Sequence, residues 1–173
     1  MTMGLSARSR LALIVGAALV LVYWLHLSPP GLGRLGRAGD LGAPEVTRQL
    51  MADSLREVGG PSFTTTRLLA PGGASTAYFS WSMERDWIGA YFWRWNPDFP
   101  FLWVYFGCSL FVSYFAVGLL TQKLGLPAWA AWSLASLVVI FNIPRHNKIF
   151  QHFEHVTLHW VYIAVFLDAL IWR

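Results

Sequence analysis

Apolar residues in this chain do not alternate with polar ones; they run together in long blocks. The first block is Leu11 to Leu27, behind Arg8 and Arg10. At about 1.5 Å per residue its length just spans a hydrocarbon core. The exit reads His26-Leu27-Ser28-Pro29-Pro30, with no small-x-small cleavage site. The block therefore reads as a retained anchor helix and not as a signal peptide. The second block, Phe101 to Leu120, carries no charge and has Pro100 at its start, where a missing N–H is harmless. Gln122-Lys123-Leu124-Gly125 makes a tight connection. The third block runs from Pro127 to Ile143 and is stopped by Pro144; the fourth runs from about Ile149 to Trp172. The pattern predicts an all-α integral membrane protein. It has an N-terminal tail (1–10) and about four transmembrane helices, at 11–27, 100–120, 127–143 and 149–172.

Residues 28–99 differ in kind and predict a small α+β extramembrane segment. They hold seven arginines and seven acids, and most of the turn residues. Pro29-Pro30-Gly31 breaks the first helix. Ala43 to Val58 reads as an amphipathic helix, with Pro44 in its first turn and Gly59-Gly60 at its end. Val46, Leu50, Met51, Leu55 and Val58 share its apolar arc; Arg48, Gln49, Asp53 and Arg56 share the polar one. Phe63 to Leu69 and Thr76 to Met83 suit the strands of a hairpin around Ala70-Pro71-Gly72-Gly73. Arg85 to Phe99, with Trp87, Tyr91, Phe92, Trp93 and Trp95, reads as an aromatic belt at the membrane interface. A segment this small needs the membrane, its own helices or a partner to lean on.

Composition supports a lipid environment. Of 173 residues, 55% are hydrophobic and 13% charged, where soluble domains carry about 25% charged residues. The net charge of +4 comes from scattered Lys and Arg, without a basic run, so nucleic acid is not a partner. Cys108 is the single cysteine, which excludes an intrachain disulfide. Asn96, Asn142 and Asn147 all lack the hydroxyl of a glycosylation acceptor. Arg8, Arg10, Lys123 and Arg173 on one side favour both termini inside, with residues 28–99 outside. The location expected is a bacterial plasma membrane or an organellar inner membrane.

Chemistry concentrates in one place. Four of five histidines, His146, His152, His155 and His159, lie within fourteen positions, with Asn142 and Glu154 beside them. Four alternating spans bring His26 to the same leaflet. On a helix His152, His155 and His159 fall on one face, continued by Tyr162, Phe166 and Leu170. Glu154, Asp168, Thr157, Val161 and Val165 take the other face. A divalent metal is one reading, with His155 and His159 the best pair, His152 and His155 the second, and His146 or His26 the candidate third ligand. His152 and His159 stand about 10 Å apart along the helix, too far to share one ion with a third. A haem or chlorophyll held by His155 or His159 is another reading. A hydrogen-bonded interfacial cluster without cofactor is the plainest. Asp168, among Phe166, Leu167, Ala169 and Leu170, suits an ion pair with Arg173 or with a neighbouring subunit, or a proton relay. Ser80, Ser82, Glu84, Arg85 and Asp86 form a second polar patch, read as a solvated approach to the membrane.

These features rank three functions. The first is a non-catalytic accessory or structural subunit of a larger membrane complex, an energy-transducing one being the kind considered, whose partners are the lipid bilayer and other membrane subunits. The second is a membrane-embedded enzyme or redox subunit using the histidines. A transporter component ranks third, since no span is lined by repeated polar residues.

Overall fold

The computed structural model describes residues 6–26, 50–53, 55–57, 59, 64–65, 74–75, 83–142 and 159–172. Five helices dominate them: α1 (Ala7–His26), α2 (Met83–Trp95), α3 (Phe101–Lys123), α4 (Ala128–Ile140) and α5 (His159–Ile171). Residues 50–53 and 55–57 are also helical. Only α1 and α3, at 20 and 23 residues, are long and apolar enough to cross a membrane among the described residues. The four expected spans are thus met in part. α4 and α5 have 13 residues each, about 20 Å of helix against a core of about 30 Å. Residues 143–158, which include the expected start of the fourth span, lie outside those described.

Local chemistry explains where the helices start and stop. α1 begins before the apolar block because Ser6 caps it: its Oγ accepts from the Ser9 N–H at 3.2 Å. Arg8 and Arg10 therefore ride on the first turns of the helix. α3 continues past Leu120 because polar side chains near its end bond back to it. Thr121 Oγ1 donates to the Val117 carbonyl at 2.8 Å, and Gln122 Nε2 to the Gly118 carbonyl at 3.2 Å. It ends in a paired cap, Leu126 N–H to Thr121 O and Gly125 N–H to Gln122 O, both 3.0 Å. That cap needs the left-handed backbone of Gly125, at φ 101°. Pro127, extended and without an N–H, then starts α4.

The described residues group into two compact units. The first comprises α1, α3 from Phe106 onward, α4 and α5. Its contacts give the helix directions. Trp24 packs on Gly107 while Tyr114 packs on Gly16 and donates to the Leu13 carbonyl at 3.0 Å, so α1 and α3 are antiparallel. Trp132 of α4 sits on Gly118 of α3, and the Arg8 guanidinium lies 5.7 Å from the Trp129 ring. α4 therefore runs with α1 and against α3. α5 starts beside Ser109, and Tyr162 meets Asn142 beyond the end of α4. The last helix thus runs with α3. The buried interior includes Val20, Phe106, Leu110, Tyr114, Val117, Trp132 and Val139. Tyr114, Phe115 and Trp132 interlock their rings at 5.4–5.8 Å.

The second unit holds α2, the first turn of α3, the helical residues around 50–57 and a short ladder. Met51, Ala52, Leu55 and Ala90 form its apolar core, with Trp87 and Trp93 packed against them. Gly59, at φ 73°, follows the helical residues. Asp53 departs from the expected polar arc: it is buried, while Arg56, 3.5 Å away, is exposed. Of the expected hairpin, the described pairing is Thr64↔Ser75 and Thr65↔Ala74, antiparallel; Thr64 and Thr65 fall in its expected first strand, but Ala74 and Ser75 precede its expected second, Thr76 to Met83. The remainder of its strands lies outside the described residues, except Met83, which is helical. The aromatic belt likewise contains a regular helix, α2, which ends at an Asx turn where the Asp98 N–H bonds Asn96 Oδ1 at 3.1 Å.

Candidate functional site

The histidine region is described at three of its positions. Asn142, half-buried after α4, donates from Nδ2 to the Tyr162 hydroxyl at 3.2 Å. His159 opens α5 and is buried. Asp168, three positions before the helix ends, is exposed. His146, His152, Glu154 and His155 lie outside the described residues. His26 ends α1 and is exposed. By the helix directions, His26 and His159 belong to the same end of their unit.

His159 has a defined setting. Its Nδ1 is 2.8 Å from Ser109 Oγ, and both residues are buried. Its ring stands 5.4 Å from that of Trp160. One turn along α3, Ser113 donates to the Ser109 carbonyl at 2.7 Å. The hydroxyl of Ser109 therefore fixes the direction of the imidazole from a helix fifty positions earlier. Serine among apolar residues gives no sequence signal of such a partnership. An imidazole held at Nδ1 is oriented to present Nε2, the geometry by which histidine serves a metal or haem. No group of three His, Cys, Asp or Glu that could hold an ion exists among the described residues.

α5 has two distinct faces. His159 is buried and Tyr162, Ile163, Phe166 and Ala169 are half-buried. Val161, Val165, Leu167, Asp168, Ile171 and Trp172 are exposed. Among the described residues, the carboxylate of Asp168 is thus the one charge on the outward apolar face of α5.

At its described positions, Glu84, Arg85 and Asp86, the second polar patch is not the solvated approach that its composition suggests; Ser80 and Ser82 lie outside the described residues. Arg85 and Asp86 are buried, with side chains 2% and 1% exposed, and pair at 2.9 Å through Nε and Oδ1. Burial of full charges is costly unless they are paired, and the pair satisfies that condition only in part. The Arg85 Nη1 is buried without a hydrogen-bond partner. Glu84 accepts a 2.7 Å hydrogen bond from the Tyr105 hydroxyl on the first turn of α3. Glu84 and Asp86 belong to one unit, and His26 and His159 to the other.

With the geometry in place, the class defined is a helical protein with two segments of membrane-crossing length. No known family model, curated protein or solved structure matches the chain.

Proposed function

We propose that this chain is a small polytopic membrane protein acting as a non-catalytic accessory subunit of a larger membrane complex. In this reading α4 and α5 join α1 and α3 in the bilayer as the third and fourth spans. The alternating directions of the four helices support it. Residues 28–99, with α2 and the short ladder, form the part between the first and second spans.

The observation that carries the subunit reading is Asp168. α1 turns Leu11, Ile14, Val15, Leu19, Val22 and Leu25 outward with no charge among them, a surface suited to lipid. The outward face of α5 is as apolar but includes a carboxylate. Carboxylates are expensive against hydrocarbon and usually meet protein or water. A basic group on a neighbouring subunit resolves that cost. The test is native mass spectrometry of the protein extracted in mild detergent, beside Asp168→Asn. Co-purification of a distinct membrane polypeptide, weakened by the substitution, is expected. A monomer in both preparations sinks the reading.

One observation favours a redox alternative: Ser109 holds the His159 imidazole in a fixed direction. A divalent metal would be held by His155 with His159, and haem or chlorophyll by one of the two. Absorbance and elemental analysis of the same preparation decide between the two functions.

A further inference from the structure

α2 is inside out for a helix facing water. It buries its ion pair, Arg85 and Asp86, and half-buries Glu84 against Tyr105. It exposes Ile88 (41%), Tyr91 (51%) and Trp95 (84%). These three recur at i, i+3 and i+7, so they lie within about 60° of one another on the helix surface. Asp86 lies nearly opposite Ile88. Arg94, at the edge of the stripe, is exposed, and no carboxylate of α2 is fully exposed.

The position of this stripe is constrained. α2 ends six residues before Phe101, the start of a helix of membrane-crossing length. Phe92 stacks on Phe99 at 4.9 Å and on Phe101 at 5.7 Å, and Glu84 holds Tyr105. The helix is therefore fastened along its length to the first turn of α3. Tyr and Trp combine an apolar ring with a hydrogen-bonding edge, which suits the boundary between headgroups and acyl chains. A neighbouring arginine reaches phosphates from the same depth.

We propose that α2 lies in the headgroup layer of the bilayer, with Ile88, Tyr91 and Trp95 turned into lipid and Arg94 among the phosphates. The proposal rests on the reading of α3 as a membrane span. It assigns the exposed aromatics to lipid and not to a partner protein.

The test places one nitroxide at a time on the full chain in a Cys108→Ser background, reconstituted alone into vesicles of mixed zwitterionic and anionic phospholipid. Ile88→Cys, Tyr91→Cys and Trp95→Cys report the stripe; Asn96→Cys and Asp98→Cys report the turn beyond it. Phe115→Cys, on the exposed side of α3, is the control. Oxygen, which partitions into lipid, is expected to relax labels at 88, 91 and 95 more than a water-soluble nickel chelate does. The order reverses at 96 and 98. Chelate dominance at the stripe with oxygen dominance at 115 overturns the proposal and leaves the membrane reading standing. Chelate dominance at 115 as well overturns both. Shielding of the stripe from both reagents makes it a protein interface, which also overturns the proposal.

Discussion

The four-helix unit and the unit built on α2 both bury polar groups, but of different kinds. The first buries neutral ones. Ser113 and Ser136 donate to carbonyls of their own helices, and Ser109 pairs with His159. Each hydroxyl needs only one or two hydrogen bonds, supplied by its own helix's backbone at Ser113 and Ser136 and by a facing helix at Ser109. The second unit buries charge, in Asp53 and in the Arg85–Asp86 pair. A charge cannot be satisfied by one carbonyl; it needs a counter-charge brought by the fold. The units should therefore fail differently. Losing a hydroxyl in the bundle costs one hydrogen bond, whereas losing Asp86 takes the counter-charge from the buried Arg85 guanidinium.

Asp86→Ala gives the largest effect expected from this difference. It leaves the buried guanidinium without its carboxylate, at a cost of about 3–5 kcal/mol. Unfolding in detergent, followed by proteolysis within residues 83–95, measures it. The paired variant Arg85→Met with Asp86→Leu should recover most of the loss. A wild-type midpoint for the single variant would remove the contrast altogether.

Gly118→Ala comes next and probes the bundle through its shape. A methyl there collides with the Trp132 ring, and such overpacking costs about 1–3 kcal/mol. Trp132→Phe in the same chain relieves the clash. If the double variant is no more stable than Gly118→Ala, the ring is not what limits the approach of α3 and α4.

Ser109→Ala is the smallest, about 1 kcal/mol for one lost hydrogen bond. The same unfolding assay measures it, and the imidazole resonance of His159 should shift. A loss as large as that of Asp86→Ala would show that the bundle depends on its polar interior as heavily as the other unit does.

Legibility in the sequence followed the same division. α1 and α3 are continuous apolar runs, and a run of that length has few alternatives to a membrane-length helix. The grouping of His159, Tyr162 and Phe166 on one face, apart from Val161, Val165 and Asp168, was readable from helical spacing; that this face turns inward was not, and Leu170, read with it, is exposed. α2 was not readable. Its apolar stripe of Ile88, Tyr91 and Trp95 is the exposed side, while its buried side holds the ions Arg85 and Asp86, the reverse of what an amphipathic pattern signals. Composition places Arg85 and Asp86 in solvent; only tertiary packing shows them enclosed. The Ser109 partner of His159 was hidden for a related reason, since a hydroxyl fifty residues away carries no local pattern. His146, His152, Glu154 and His155 fall outside the described residues, so the metal and haem readings concern a site of which one ligand is placed.

Three aromatic side chains rest on glycines of a facing helix: Tyr114 on Gly16, Trp24 on Gly107 and Trp132 on Gly118. Each is a key in a notch one residue wide. Displacing α3 lengthwise by a single turn would drive Cβ-bearing residues into all three contacts at once. Piston-like sliding of α3 against α1 and α4 is therefore barred, and the freedom left among these three helices is rocking about the three fixed points.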